Sequence, residues 1–123
     1  MNVDEKRHDG VVVLSLNGRL DSSTSDEFEK RLFGILHGGE IRLVLDFQDL
    51  DYISSAGLRV LLKAAKELKR TNGRLGICAM KDYIREVFEM SGFVSFLPIH
   101  ATLEESLKAI REAIPDVVSG SSR

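Results

Sequence analysis

Ile41-Arg42-Leu43-Val44-Leu45-Asp46-Phe47 is a nearly continuous apolar run that ends against a turn-forming, aspartate-rich stretch. A run this short reads as a β-strand, and its weak polar alternation implies cover on both faces. Such strands belong to parallel sheets, whose neighbours are joined by long, usually helical crossovers. Leu75-Gly76-Ile77-Cys78-Ala79-Met80 repeats the pattern. The fold is therefore built on buried parallel strands with helices between them.

The remaining segments fill in that plan. Residues 3–8 form a short edge strand, and Val11-Val12-Val13-Leu14-Ser15-Leu16-Asn17 is a β-branched strand, apolar at 12, 14 and 16. Asp9-Gly10 between them reads as a hairpin turn, and Gly18-Arg19-Leu20-Asp21 leads out of the sheet. Thr24 and Glu27 match a capping box ahead of a helix with Phe28, Leu32, Ile35 and Leu36 inward, stopped at His37-Gly38-Gly39. The strand over 41–47 is expected to end at Asp46. The next helix buries Leu58, Leu61, Leu62, Ala65 and Leu68, shows a basic stripe of Arg59, Lys63, Lys66 and Arg70, and closes at Thr71-Asn72-Gly73. Residues 82–90 form a short helix with Ile84, Val87 and Phe88 inward. The last strand falls in 93–99, at a sheet end or edge because of Pro98. Thr102 and Glu105 repeat the capping box before a helix with Leu103, Leu107, Ile110 and Ile114 inward, ended by Pro115. The order is ββαβαβαβα: an α/β fold with a mixed, mostly parallel sheet in one domain over 1–115, followed by a flexible tail over 116–123.

Bulk properties remove several function classes. The net charge of −2 gives no overall attraction to nucleic acid or anionic membrane. No segment is long and apolar enough for membrane insertion and no signal peptide is recognisable, so the expected location is cytoplasmic. Cys78 is the single cysteine, which excludes an internal disulfide and reads as a buried structural thiol. His8, His37 and His100 lack metal-ligand spacing, and neither metal nor cofactor is expected.

Asp49-Leu50-Asp51-Tyr52-Ile53-Ser54-Ser55-Ala56-Gly57-Leu58 carries the chemistry. Two hydroxyls stand where a helix begins, among N–H groups with no intrahelical acceptor. Those groups suit a serine N-cap, and they equally suit a phosphate. Taken alone, the pair reads as a cap. Ser54-Ser55-Ala56-Gly57 lacks the Gly-x-Ser-x-Gly of a hydrolase elbow, and no glycine-rich phosphate loop is present. A phosphoaspartate at Asp46 is a rival, but only Asp21 stands by to help hold the metal that chemistry needs, so it ranks below the serine. The basic stripe reads as a solvated face or as a dock for an acidic partner.

Gly18-Arg19-Leu20-Asp21, Leu43-Val44-Leu45-Asp46-Phe47, Tyr52-Ile53-Ser54-Ser55-Ala56-Gly57-Leu58 and Phe88-Glu89-Met90-Ser91-Gly92 resemble the signature of STAS domains, most nearly bacterial anti-sigma factor antagonists. The likeness spans about residues 3–114. It implies a non-enzymatic partner switch. The unphosphorylated protein binds an anti-sigma factor that is also a serine kinase, phosphorylation releases it, and a serine phosphatase resets it. On the family's Asp-Ser-[Ser/Thr]-Gly pattern the acceptor is Ser55, with Ser54 as second choice because it replaces the aspartate; Ala56 replaces the other hydroxyl. Asp21, Asp46, Ser54, Ala56, Gly57 and Arg59 would form the acceptor environment or partner surface. The alternative is a phosphorylation-independent STAS subunit of a larger assembly such as a transport ATPase. A third class, an enzyme with Ser55 as nucleophile, is the remaining option.

Overall fold

Asp9 and Gly10 both take positive φ, 51° and 84°, the pairing that a two-residue hairpin turn of the strand-matching hand requires. They join β1 (Asn2–His8) to β2 (Val11–Leu20) in an antiparallel ladder. The computed structural model describes residues 1–95 and 97–113, so Phe96, Ile114, Pro115 and the expected tail lie outside the described residues. After the hairpin come α1 (Ser25–His37), β3 (Arg42–Ile53), α2 (Ser55–Arg70), β4 (Arg74–Cys78), α3 (Asp82–Ser91), β5 (Ile99–His100) and α4 (Leu103–Ala113). The sheet has five strands in the order β1-β2-β3-β4-β5, parallel from β2 onward.

Strand order explains the layering. Each crossover from β2 to β5 steps in one direction, and right-handed connections then place all three crossover helices on one face. Phe28, Leu32, Leu58, Leu61, Ile84 and Phe88 accordingly share a core with Val12, Leu14, Leu16, Leu43, Leu45 and Ile77. The sheet ends at β5, and α4 folds back over the opposite face. There Leu107 and Ile110 pack with Val11, Val13, Val44 and Cys78. Alternation at 12, 14 and 16 is therefore only half of β2; Val11 and Val13 are buried as well. Gly76 lets α4 approach, since a Cβ there would meet Ser106 Oγ at 2.7 Å. The second capping box forms: Thr102 Oγ1 accepts from the Glu105 N–H at 3.1 Å, and Glu105 Oε1 accepts from the Ala101 N–H at 3.2 Å.

Four expectations are corrected. Gly18–Leu20 does not leave the sheet and Asp46 does not end its strand, because β2 and β3 continue together to Leu20↔Ile53. Register shifts at Ser15/Asn17 and Gly18/Arg19 absorb the broken alternation and keep Leu20, Leu50 and Ile53 buried. The last strand, expected within 93–99, begins only at Ile99 and runs on to His100. Gly92, at φ 79°, ends α3 in the left-handed conformation, and Phe93–Ser95 curl into a 3-10 turn that sets Phe93 edge-on to Phe88 at 6.3 Å. Only Ile99–His100 pair with β4, at the sheet edge just after Pro98. The Thr24–Glu27 capping box is also absent, since the Thr24 hydroxyl is held elsewhere.

Gly76→Ala should lower unfolding free energy by about 1–3 kcal/mol, because the methyl forces α4 off the sheet. Urea denaturation of the two proteins measures this.

Candidate functional site

The paired extension of β2 and β3 is what places the start of α2. The Ser54 N–H donates to Leu20 O at 2.9 Å, so the chain leaves β3 still tied to β2. Ser54, extended at φ −102° and ψ 175°, is the N-cap, and its Oγ accepts from the Gly57 N–H at 3.4 Å. Leu58 N–H donates to Ser54 O at 3.0 Å and starts the helical ladder. Gly57 is buried where a Cβ would lie 2.8 Å from Leu20 Cγ and 3.0 Å from Ile53 Cγ1. The first turn must therefore sit flat against the strand ends.

These restraints separate the two serines. Ser54 is half-buried and its hydroxyl faces the helix interior as cap. Ser55 is the first helical residue, is exposed, and its hydroxyl makes no side-chain hydrogen bond among the described residues. Ala56 beside it is half-buried, and no acidic residue occupies the first turn. Positive helix-end charge thus remains uncompensated next to Ser55.

Asp21 leaves β2 one residue after the Leu20 carbonyl that holds Ser54, which brings it to the same end of the sheet. Its carboxylate is already occupied. Oδ1 accepts from the Ser23 N–H at 3.0 Å and the Ser23 hydroxyl at 2.7 Å, and Oδ2 lies 3.5 Å from Arg19 Nε. The Ser23 bonds, with help from Arg19 and Thr24, hold its pKa below the usual carboxylate value. The Thr24 hydroxyl donates to Arg19 O and accepts from the Asp21 N–H, both at 2.9 Å, which is why it does not cap α1. Arg19 also stacks over the Tyr52 ring, 4.2 Å from its centroid. Tyr52 stays 39% exposed, an aromatic left open on the serine's rim.

Asp46 is not brought to Ser55. It lies seven positions before Ile53 on the same strand, roughly 20 Å at the usual rise. It accepts from the Gln48 N–H at 3.0 Å and lines a cleft with Ala79, Met80, Thr102 and Glu104, at the start of α4. Nor do the described residues contain a group of three or more His, Cys, Asp and Glu side chains arranged for a metal, so the phosphoaspartate reading gains no support. The basic stripe on α2 is interrupted: Lys63 pairs with Glu29 at 3.3 Å and Arg70 with Glu67 at 2.6 Å. Arg59 is exposed and takes part in no ion pair among the described residues. Cys78 is fully buried, and burial, with Asp46 and Glu104 nearby, pushes its thiol up to about 12, so it stays protonated. Sequence reasoning gave no site role to Tyr52, Ser23 or the Lys81–Asp51 ion pair, whose hydrogen bond raises the Lys81 pKa. The signal for Tyr52 and Asp51 was Leu50 and Ile53, apolar residues beyond Asp46 that a longer strand would bury.

A small α/β domain with a mixed five-stranded sheet, helices on both faces and an exposed serine at a helix start defines the class of fold. The STAS domain matches residues 2–106, and the chain belongs to that family. It is 41% identical over 115 residues, covering 94% of this chain and 99% of the relative, to BtrV of Bordetella bronchiseptica, which is named as an anti-sigma factor antagonist. A Thermotoga maritima crystal structure described as an anti-sigma factor antagonist superposes with a TM-score of 0.85 at 23% identity, covering 89% of this chain and 94% of that one. The phosphorylated form of the Bacillus cell fate determinant SpoIIAA superposes at 0.69 with 24% identity, covering 89% of this chain and all (100%) of that one. No helix among the described residues is long and apolar enough to cross a membrane.

Ser54→Ala should cost about 0.5–1 kcal/mol in chemical denaturation, the low end for a lost cap given its long hydrogen bond, and Ser55→Ala should stay within about 0.5 kcal/mol. In an NMR titration Asp21 should ionise below an ordinary aspartate, and Ser23→Ala should move it back up. Because the folded pKa is the lower one, its contribution is complete above about pH 4 and fades as pH falls through the folded value.

Proposed function

We propose that the protein is an anti-sigma factor antagonist that works by partner switching. Unmodified, it binds an anti-sigma factor that is also a serine kinase; phosphorylation of Ser55 releases it, and a serine phosphatase restores binding. The observation that carries the reading is the division of labour at the helix start: Ser54 caps α2, while Ser55 is exposed with its hydroxyl uncommitted. The name of BtrV, matched over nearly the whole of both chains, supports the antagonist role over a subunit of a transport assembly. SpoIIAA in its phosphorylated form supports the view that this fold carries a phosphoryl group without unfolding.

The chemistry needs little from this chain. The Ser55 oxygen attacks the γ-phosphorus of ATP, ADP leaves, and the hydroxyl proton passes to a base of the kinase. The product adds about −1.5 to −2 charges and strong acceptor oxygens. Helix-start N–H groups tolerate that charge, so the fold survives. An interface does not tolerate it, because a dianion buried without a partner costs more than contact returns. The rim around Ser55 is the surface such a partner covers: Tyr52, Arg59 and the Asp21 loop. The switch works without metal or cofactor bound to this chain, acts in the cytoplasm, and contacts neither nucleic acid nor membrane directly.

Incubation with the cognate kinase and ATP, followed by intact-mass measurement and site mapping, tests the assignment. One phosphoryl group should appear on Ser55 in the native protein and in Ser54→Ala, and none in Ser55→Ala. Full modification of Ser55→Ala would transfer the role to Ser54.

A further inference from the structure

We propose that Arg59 is the internal receiver of the phosphoryl group on Ser55, so that modification removes a docking cation from the surface as well as adding an anion to it. The inference rests on the reading of Ser55 as phosphoacceptor and adds what happens to the site afterwards. Ser55 and Arg59 are four residues apart on α2, a helix of 16 residues, and such positions are neighbours with Cβ atoms about 5–6 Å apart. Helical side chains lean toward the N-terminus, so a long side chain at 59 covers the turn that contains 55. The order is also the favourable one, with the anion N-terminal to the cation.

Arg59 has no competing anion along its own helix. The positions three and four residues away are Ser55, Ala56, Leu62 and Lys63. Glu29, on the neighbouring α1, is engaged by Lys63, and Asp26, which lines the same pocket as that pair, makes no ion pair with Arg59 among the described residues. Asp21 is held by Ser23 and Arg19. Arg59 is therefore a free cation before modification and the natural partner of phosphate after it, through a bidentate, charge-assisted contact. Ser54 offers no such arrangement, since its positions three and four residues on are Gly57 and Leu58. The pairing gives Ser55 a consequence that Ser54 lacks.

Phosphoserine encoded directly at position 55 isolates the pairing from any kinase. Phosphorus NMR should show its second ionisation lower than in the Arg59→Gln background by several tenths of a pH unit at low salt, with the gap closing at high salt. Arg59→Lys should restore part of the gap, and phosphoserine encoded at 54 should show none. Equal ionisation in the native and Arg59→Gln backgrounds, with both proteins folded by thermal melting, would overturn the inference. Failure of the kinase to modify Ser55 would sink the acceptor assignment and leave this measurement standing.

Discussion

The Ser54 N–H bonded to the Leu20 carbonyl is the contact on which the site depends. It is the last rung of the β2–β3 ladder and the first fixed point of α2, so strand pairing and helix initiation meet in one residue. Gly57 completes the seat, because any larger residue would drive the first turn away from Leu20 and Ile53. With the turn held flat, the next residue, Ser55, has nowhere to point but solvent. The exposure of Ser55 is thus a consequence of backbone geometry.

The two-sided core explains how a small domain keeps that end rigid. Helices α1, α2 and α3 bury one face of the sheet and α4 the other, covering the inner strands while the edge strand β1 stays exposed. Side chains at the serine end are then sorted by charge. Asp21 is tied down by Ser23 and Arg19, Arg19 stacks on Tyr52, and Lys81 holds Asp51. These exposed pairs contribute little to stability individually. Their effect is to fix a rim on which Arg59 carries a charge without an ion pair among the described residues, beside the helix start itself.

The sequence made much of this legible for physical reasons. Asp9-Gly10 between two apolar runs demands a tight hairpin, and Thr102 with Glu105 announces a helix start that forms as expected. Both are local rules that tertiary context did not override. The start of α2 was equally plain, but the roles of Ser54 and Ser55 needed coordinates, because cap and exposed hydroxyl differ by one residue and share a composition. The distance of Asp46 from Ser55 was hidden for a different reason. Register shifts in β2 and β3 break the alternation that marks a strand, so the run appeared to stop at Asp46 when Leu50 and Ile53 carry it on. Thr24 shows the same limit: its hydroxyl had two uses, and the turn at Asp21 took it.

A switch of this kind stands or falls on what one phosphoryl group does to affinity. Calorimetric titration of the cognate anti-sigma factor with unmodified protein and with protein phosphorylated at Ser55 addresses it directly. The unmodified protein should bind, and the phosphorylated form should bind on the order of a hundredfold more weakly, the cost expected of adding an anion to an interface built around a neutral hydroxyl. Equal affinity for the two forms would contradict partner release by phosphorylation at Ser55.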